Sequence, residues 1–151
     1  MTKPLLIRLT PLIAAFALAA PLAFAADDSG ASPGAQITRP AGYKPIAGDA
    51  KLGEKLFNDT QLSTNGMACA TCHANHGAFQ ASFAKPYPHT VQMAQEQLGR
   101  KSVHLDEMIQ ACMVMPMAAK PLPWDSKALA ALVAYVQIQQ KSFKPSALST
   151  N

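Results

Sequence analysis

The chain has 151 residues, of which 49% are hydrophobic and 15% charged, and its net charge is +4. That length suits one domain, and the positive charge is too small and too scattered for a nucleic-acid binder. Three cysteines cannot all pair, which excludes a disulfide-stapled scaffold.

Residues 1–25 read as a secretory signal. Lys3 and Arg8 supply the positive start, an apolar run from Leu9 to Ala20 is broken once by Pro11, and Ala23-Phe24-Ala25 offers a small-x-small cleavage site. A cut before Ala26 predicts export, to the periplasm in a bacterial cell, with no membrane span once the signal is gone. Residues 26–48 are rich in Gly and Pro without helical or strand periodicity, which predicts a flexible arm outside the core.

The domain is predicted over 49–142, with a C-terminal tail over 143–151. Asp49 caps a helix over 50–58, where Leu52, Leu56 and Phe57 mark an apolar face and Gly53 leaves room for a second helix. A helix over 90–98 stops at Gly99, and one over 102–112 aligns Leu105, Ile109 and Cys112. The last runs from Asp125, as N-cap, to about Gln140. Trp124 is placed to pack onto Leu129, and Leu129, Leu132, Val133 and Val136 form a stripe. No segment alternates as a strand does, so the fold class is all-α.

Between the first two helices stands Cys69-Ala70-Thr71-Cys72-His73, a C-x-x-C-H sequence of the kind that attaches c-type haem. Residues three apart lie on one side of a helical turn, so both sulfurs reach the two vinyl groups of one porphyrin. The adjacent His73 then projects to the iron as proximal ligand. A thioredoxin-like redox pair would need a βαβ context, and a zinc site a second ligand pair at recognisable spacing; neither is present. One motif predicts one covalent haem c, bound through Cys69 and Cys72. For the sixth iron position the chain offers Cys112, Met113, Met115 and Met117, with His76, His89 and His104 behind them.

From Asp49 to Lys141 the sequence resembles the class I cytochrome c family, with Gly53 and Phe57 matching its first helix and Tyr135 its last. The resemblance implies a small cytochrome c fold of four to five helices wrapped around the haem. In such proteins the ligand Met lies shortly before the last helix, as Met115 and Met117 do here. The segment from Met108 to Ser126 is also similar to sulfur-oxidising cytochromes: the dihaem thiosulfate dehydrogenases and the haem subunit of the thiosulfate-oxidising complex. That similarity, shared by Tyr87-Pro88 and Trp124-Asp125-Ser126, implies Cys112 as distal iron ligand, with Met117 and Met115 as alternatives. Where those enzymes tend to place Arg, three residues after the Cys, this chain has Met115.

These features together predict a periplasmic one-electron carrier, with no catalytic residues assigned. The alternatives are a haem subunit or enzyme acting on thiosulfate or a related sulfur anion, and a haem-based ligand binder or sensor. The expected partners are periplasmic redox proteins, acidic ones or another cytochrome subunit. Lys85, Arg100, Lys101, Lys120 and Lys127 are candidates to steer them.

Overall fold

Residues 33–145 are described by the computed structural model, and the signal predicted over 1–25 lies outside them. Among the described residues six α-helices follow one another: α1 (Pro33–Gln36), α2 (Ala50–Phe57), α3 (Cys69–His73), α4 (Gln92–Leu98), α5 (Leu105–Val114) and α6 (Lys127–Ser142). Short 3-10 turns at Thr60–Leu62, Ala74–His76 and Ala81–Ala84 link them. Among the described residues β pairing is confined to an isolated bridge between His89 and Val103. The all-α cytochrome c architecture expected from the sequence is the one observed.

The crossing of α2 and α6 organises the fold. Asp49 caps α2 by accepting from the Lys51 and Leu52 amides at 2.8 and 3.4 Å. On the face turned to α6, Gly53 leaves no room for a side chain. A Cβ there would overlap the Ala131 carbonyl and stand 2.7 Å from Cβ of Tyr135. One turn later Phe57 meets Tyr135 edge-on, with ring centroids 5.1 Å apart. Beneath the crossing Phe57, Phe83, Leu105, Ile109, Leu129, Leu132 and Val136 form the core. Each such side chain, taken out of water, contributes about 1.5–3 kcal/mol. Leu52, expected on the apolar face, is instead 37% exposed.

Several boundaries differ from the sequence expectation. The N-cap of α6 is Ser126, whose hydroxyl accepts from the Leu129 amide at 3.2 Å; Asp125, one residue earlier, is exposed. Both residue types cap well, and only the path of the chain decides between them. Helix α5 starts at Leu105 because Glu107 reaches back to the His104 amide at 2.9 Å, satisfying a donor that would otherwise be orphaned. Gly99 does close α4, in the left-handed conformation (φ 64°).

The arm predicted over 26–48 requires a larger correction. From Pro33 onward it lies against the domain. Ile37 is fully buried, Arg39 grips the buried Asp106 carboxylate through two nitrogens at 2.9 and 2.7 Å, and Tyr43 meets the Trp124 ring edge-on at 5.2 Å. Gly48 sits so close to α6 that a Cβ would overlap the Ala130 carbonyl. The arm is held by four separate anchors, none of which produces a periodic pattern. At the other end Phe143, assigned to the tail, packs edge-on against Phe79 and Phe83 at 6.0 and 5.3 Å.

Candidate haem centre

The three residues of the C-x-x-C-H motif that carry chemistry occupy α3, a helix of little more than one turn. Thr71 fixes its start by accepting from the Ala68 amide at 2.9 Å. Cys69, Cys72 and His73 all line one cavity of about 310 Å³, a size suited to a cofactor. After His73 the chain turns back sharply through Asn75 and His76, which adopt positive φ values of 52° and 63°. Such left-handed residues cost about 1–2 kcal/mol each when they carry a side chain. The turn returns the Gly77 carbonyl to His73 Nδ1 at 3.0 Å. A carbonyl only accepts, so Nδ1 carries the proton and Nε2 is left as the lone-pair nitrogen, the arrangement a metal-ligating histidine uses. Burial pushes the His73 pKa down, favouring the neutral ring, and the hydrogen bond to the Gly77 carbonyl partly opposes that shift. Phe79 stacks on that ring at 4.1 Å and on Phe83 at 3.8 Å.

The opposite wall comes from α5 and the loop after it. Leu105, Met108, Ile109 and Cys112 face the cavity from α5, with Pro116 and Met117 beyond it. Burial, then the neighbouring Cys69 and Cys72, pushes the Cys112 thiol up to about 12, and burial pushes Cys69 up to about 11. As free thiols they are therefore neutral; a metal cation on the sulfur reverses that preference and deprotonates it. Tyr87 also lines the cavity, its phenol pushed up by burial and by the charge Cys112 would carry. No Asp, Glu, Lys or Arg lines this wall or the rest of the cavity among the described residues.

Of the residues proposed for the sixth position, the structure brings Cys112 and Met117 to the cavity, and Met117 is only 2% exposed. Met115 does not line it. The other histidines are engaged elsewhere: His76 Nε2 pairs with the Ser142 hydroxyl at 3.1 Å, His89 Nδ1 with the Pro86 carbonyl at 3.2 Å, and His104 is the N-cap of α5. The loop carrying Met117 is tied down by Asn65, donating to the Pro116 carbonyl at 2.8 Å, and by the Thr64 hydroxyl, donating to the Ala118 carbonyl. A buried amide fastens its far end: Gln110 donates to the Leu122 carbonyl at 2.6 Å and accepts from the Leu122 amide at 2.8 Å.

Sequence reasoning did not place Met67, Phe79, Met93 or Met108 at this cavity. Met108 was the one within reach, because it precedes Cys112 by four residues and therefore shares its helical face. Of the basic residues expected near the haem edge, Arg100 is engaged with Thr38 at 2.8 Å and Glu107 at 3.7 Å, while Lys85, Lys101, Lys120 and Lys127 remain exposed.

The donor set fits a covalent haem: two cysteines one turn apart, a neutral imidazole with Nε2 free, and an uncharged enclosure. Bound there, haem c supplies one-electron exchange between ferric and ferrous iron. No curated protein and no solved structure matches the chain. The family model described as SoxA/TsdA, cytochrome c domain, matches residues 52–144, more than half of the sequence. The fold, the C-x-x-C-H helix and that match agree, and the chain belongs to the SoxA/TsdA cytochrome c family.

Proposed function

We propose that this protein is a periplasmic monohaem electron carrier whose iron is held between His73 Nε2 and the Cys112 sulfur. The observation that carries the reading is the uncharged wall on which Cys112 sits. It presents a thiol toward the haem cavity, with no Lys or Arg among the described residues that line it to retain a sulfur anion. Family membership keeps a second reading in view, a haem subunit acting on thiosulfate or a related anion, and Met115 in the place of an arginine weighs against it. An anionic sulfur ligand stabilises ferric iron and lowers the potential, whereas Met with His raises it. The residues of this chain would hold the haem, exclude water and set that potential. Exposed Lys85, Lys101, Lys120 and Lys127 would favour an acidic partner or a second cytochrome subunit.

Spectroscopy of the purified haem protein tests the assignment. The ferric form is expected to be low-spin with thiolate-type resonance signals and without the weak long-wavelength Met–iron band. Cys112→Ala should remove those signals and, if Met117 takes the position, raise the potential. A Met–iron band in the wild type would overturn the ligand assignment. Thiosulfate-dependent turnover by the isolated protein would favour the enzymatic reading.

A further inference from the structure

We infer that Phe79 is a positioning residue: its ring, stacked on the imidazole of His73, sets the plane in which that imidazole meets the iron. The inference rests on the proposed reading only in taking His73 as an iron ligand.

A histidine bound to a metal through one nitrogen keeps one freedom, rotation of its ring about that bond. The hydrogen bond from His73 Nδ1 to the Gly77 carbonyl at 3.0 Å restricts the rotation without fixing it, because a carbonyl oxygen accepts over a broad range of directions. A flat surface laid against the ring is stricter. Phe79 supplies one, with its centroid 4.1 Å from that of His73 and the two planes inclined by only 12°. Its other face lies on Phe83, at 3.8 Å and 7°. His73, Phe79 and Phe83 therefore stand as a row of nearly parallel rings.

The row ends on fixed structure. Phe83 is 5% exposed and belongs to the core. Gln140 of α6 donates to the carbonyls of Phe83 and Lys85, each at 2.8 Å. Phe143, just past α6, closes edge-on against Phe79 and Phe83. The imidazole plane is thus referred, through two phenyl rings, to the last helix. On the near side the chain reaches Phe79 through Asn75, His76 and Ala78, all at positive φ. Such strain needs a return, and here it brings the Gly77 carbonyl and the Phe79 ring together onto His73.

Groups that orient a metal-bound histidine also tune the metal. Low-spin ferric iron carries one unpaired electron, in an orbital whose direction follows the planes of the axial ligands. That direction decides which part of the porphyrin rim carries most of the spin, and so which edge couples best to a partner.

The test uses proton magnetic resonance of the full haem-loaded protein. In the ferric form the unpaired electron spreads the haem methyl signals, and their order reports the imidazole plane. Phe79→Leu keeps apolar bulk but removes the flat face, and it should shift those signals and change their order. Phe79→Tyr keeps the ring and should restore the wild-type order; a merely structural role would not separate the two variants in this way. An unchanged order in Phe79→Leu, or an equal displacement in Phe79→Tyr, overturns the inference. A ferric spectrum without hyperfine-shifted His73 ring signals overturns ligation by His73 and the inference with it, whereas an unchanged order beside such signals overturns the inference alone. The diamagnetic ferrous wild type gives a readout that needs no variant to fold. Cross-relaxation between the ring protons of His73 and Phe79 is expected there, and its absence overturns the inference.

Discussion

Gly53→Ala sets two opposing effects against each other, and geometry decides the sign. In an exposed helix interior, replacing glycine by alanine stabilises by about 1 kcal/mol. At position 53 the added Cβ would overlap the Ala131 carbonyl and stand 2.7 Å from Cβ of Tyr135. The obstacle is backbone, so no flexible side chain can swing aside; α2 and α6 must separate. Separation also loosens the edge contact of Phe57 with Tyr135. Forcing a methyl into such packing costs about 1–3 kcal/mol, occasionally more, and the lost aromatic contact adds about 0.5–1.5 kcal/mol. The net expectation is destabilisation of about 1–3 kcal/mol. Denaturant melts of the haem-loaded protein, followed by far-ultraviolet circular dichroism, measure it. A variant more stable than the wild type would show that propensity outweighs the crossing and refute the close approach.

Arg39→Met should cost about 2 kcal/mol, because Asp106, 3% exposed, loses its guanidinium bonds and keeps as donors the Glu107 amide at 2.8 Å and the Tyr43 phenol. Asp106→Leu added to Arg39→Met should restore much of that loss, and melts within a few tenths of a kcal/mol of wild type for the single variant would show that the arm adds no stability. Burial, helped by Lys85 and opposed by the Pro86 carbonyl, holds the His89 pKa below its ordinary value. The unfolded chain therefore binds more protons as pH falls below about 6.5, and the contribution of neutral His89, present above that pH, is lost toward acid. His89→Gln should flatten stability against pH across that window; an unchanged slope would exclude the residue.

Local spacing made much of the site readable before any coordinates. The C-x-x-C-H helix follows from the reach of two sulfurs on one turn, and the crossing at Gly53 from a bare position four residues before an aromatic one. Cys112 was legible through its alignment with Leu105 and Ile109 and through the family likeness. The arm was not, because Ile37, Arg39 and Tyr43 follow no helical or strand period, and the partners of Arg39 and Tyr43, Asp106 and Trp124, lie 60 or more residues away. A buried carboxylate implies a cation, but nothing in the chain says which of several basic residues supplies it. The choice between Met115 and Met117 also needed three dimensions, since it depends on how the chain leaves α5.

The three ties on the loop after α5 bear on the speed of electron exchange. An electron moves fastest when the structure that suits one charge state already suits the other, so that little atomic rearrangement accompanies the jump. Asn65 and Thr64 hold the Pro116 and Ala118 carbonyls, and Gln110 clamps both backbone groups of Leu122. These bonds close the segment between α5 and Leu122 into a hoop and hold its dipoles against reorientation. Removing the clamp, by Gln110→Leu, would let those dipoles follow the charge and raise the energy of rearrangement. Self-exchange would slow while the iron ligands stayed the same.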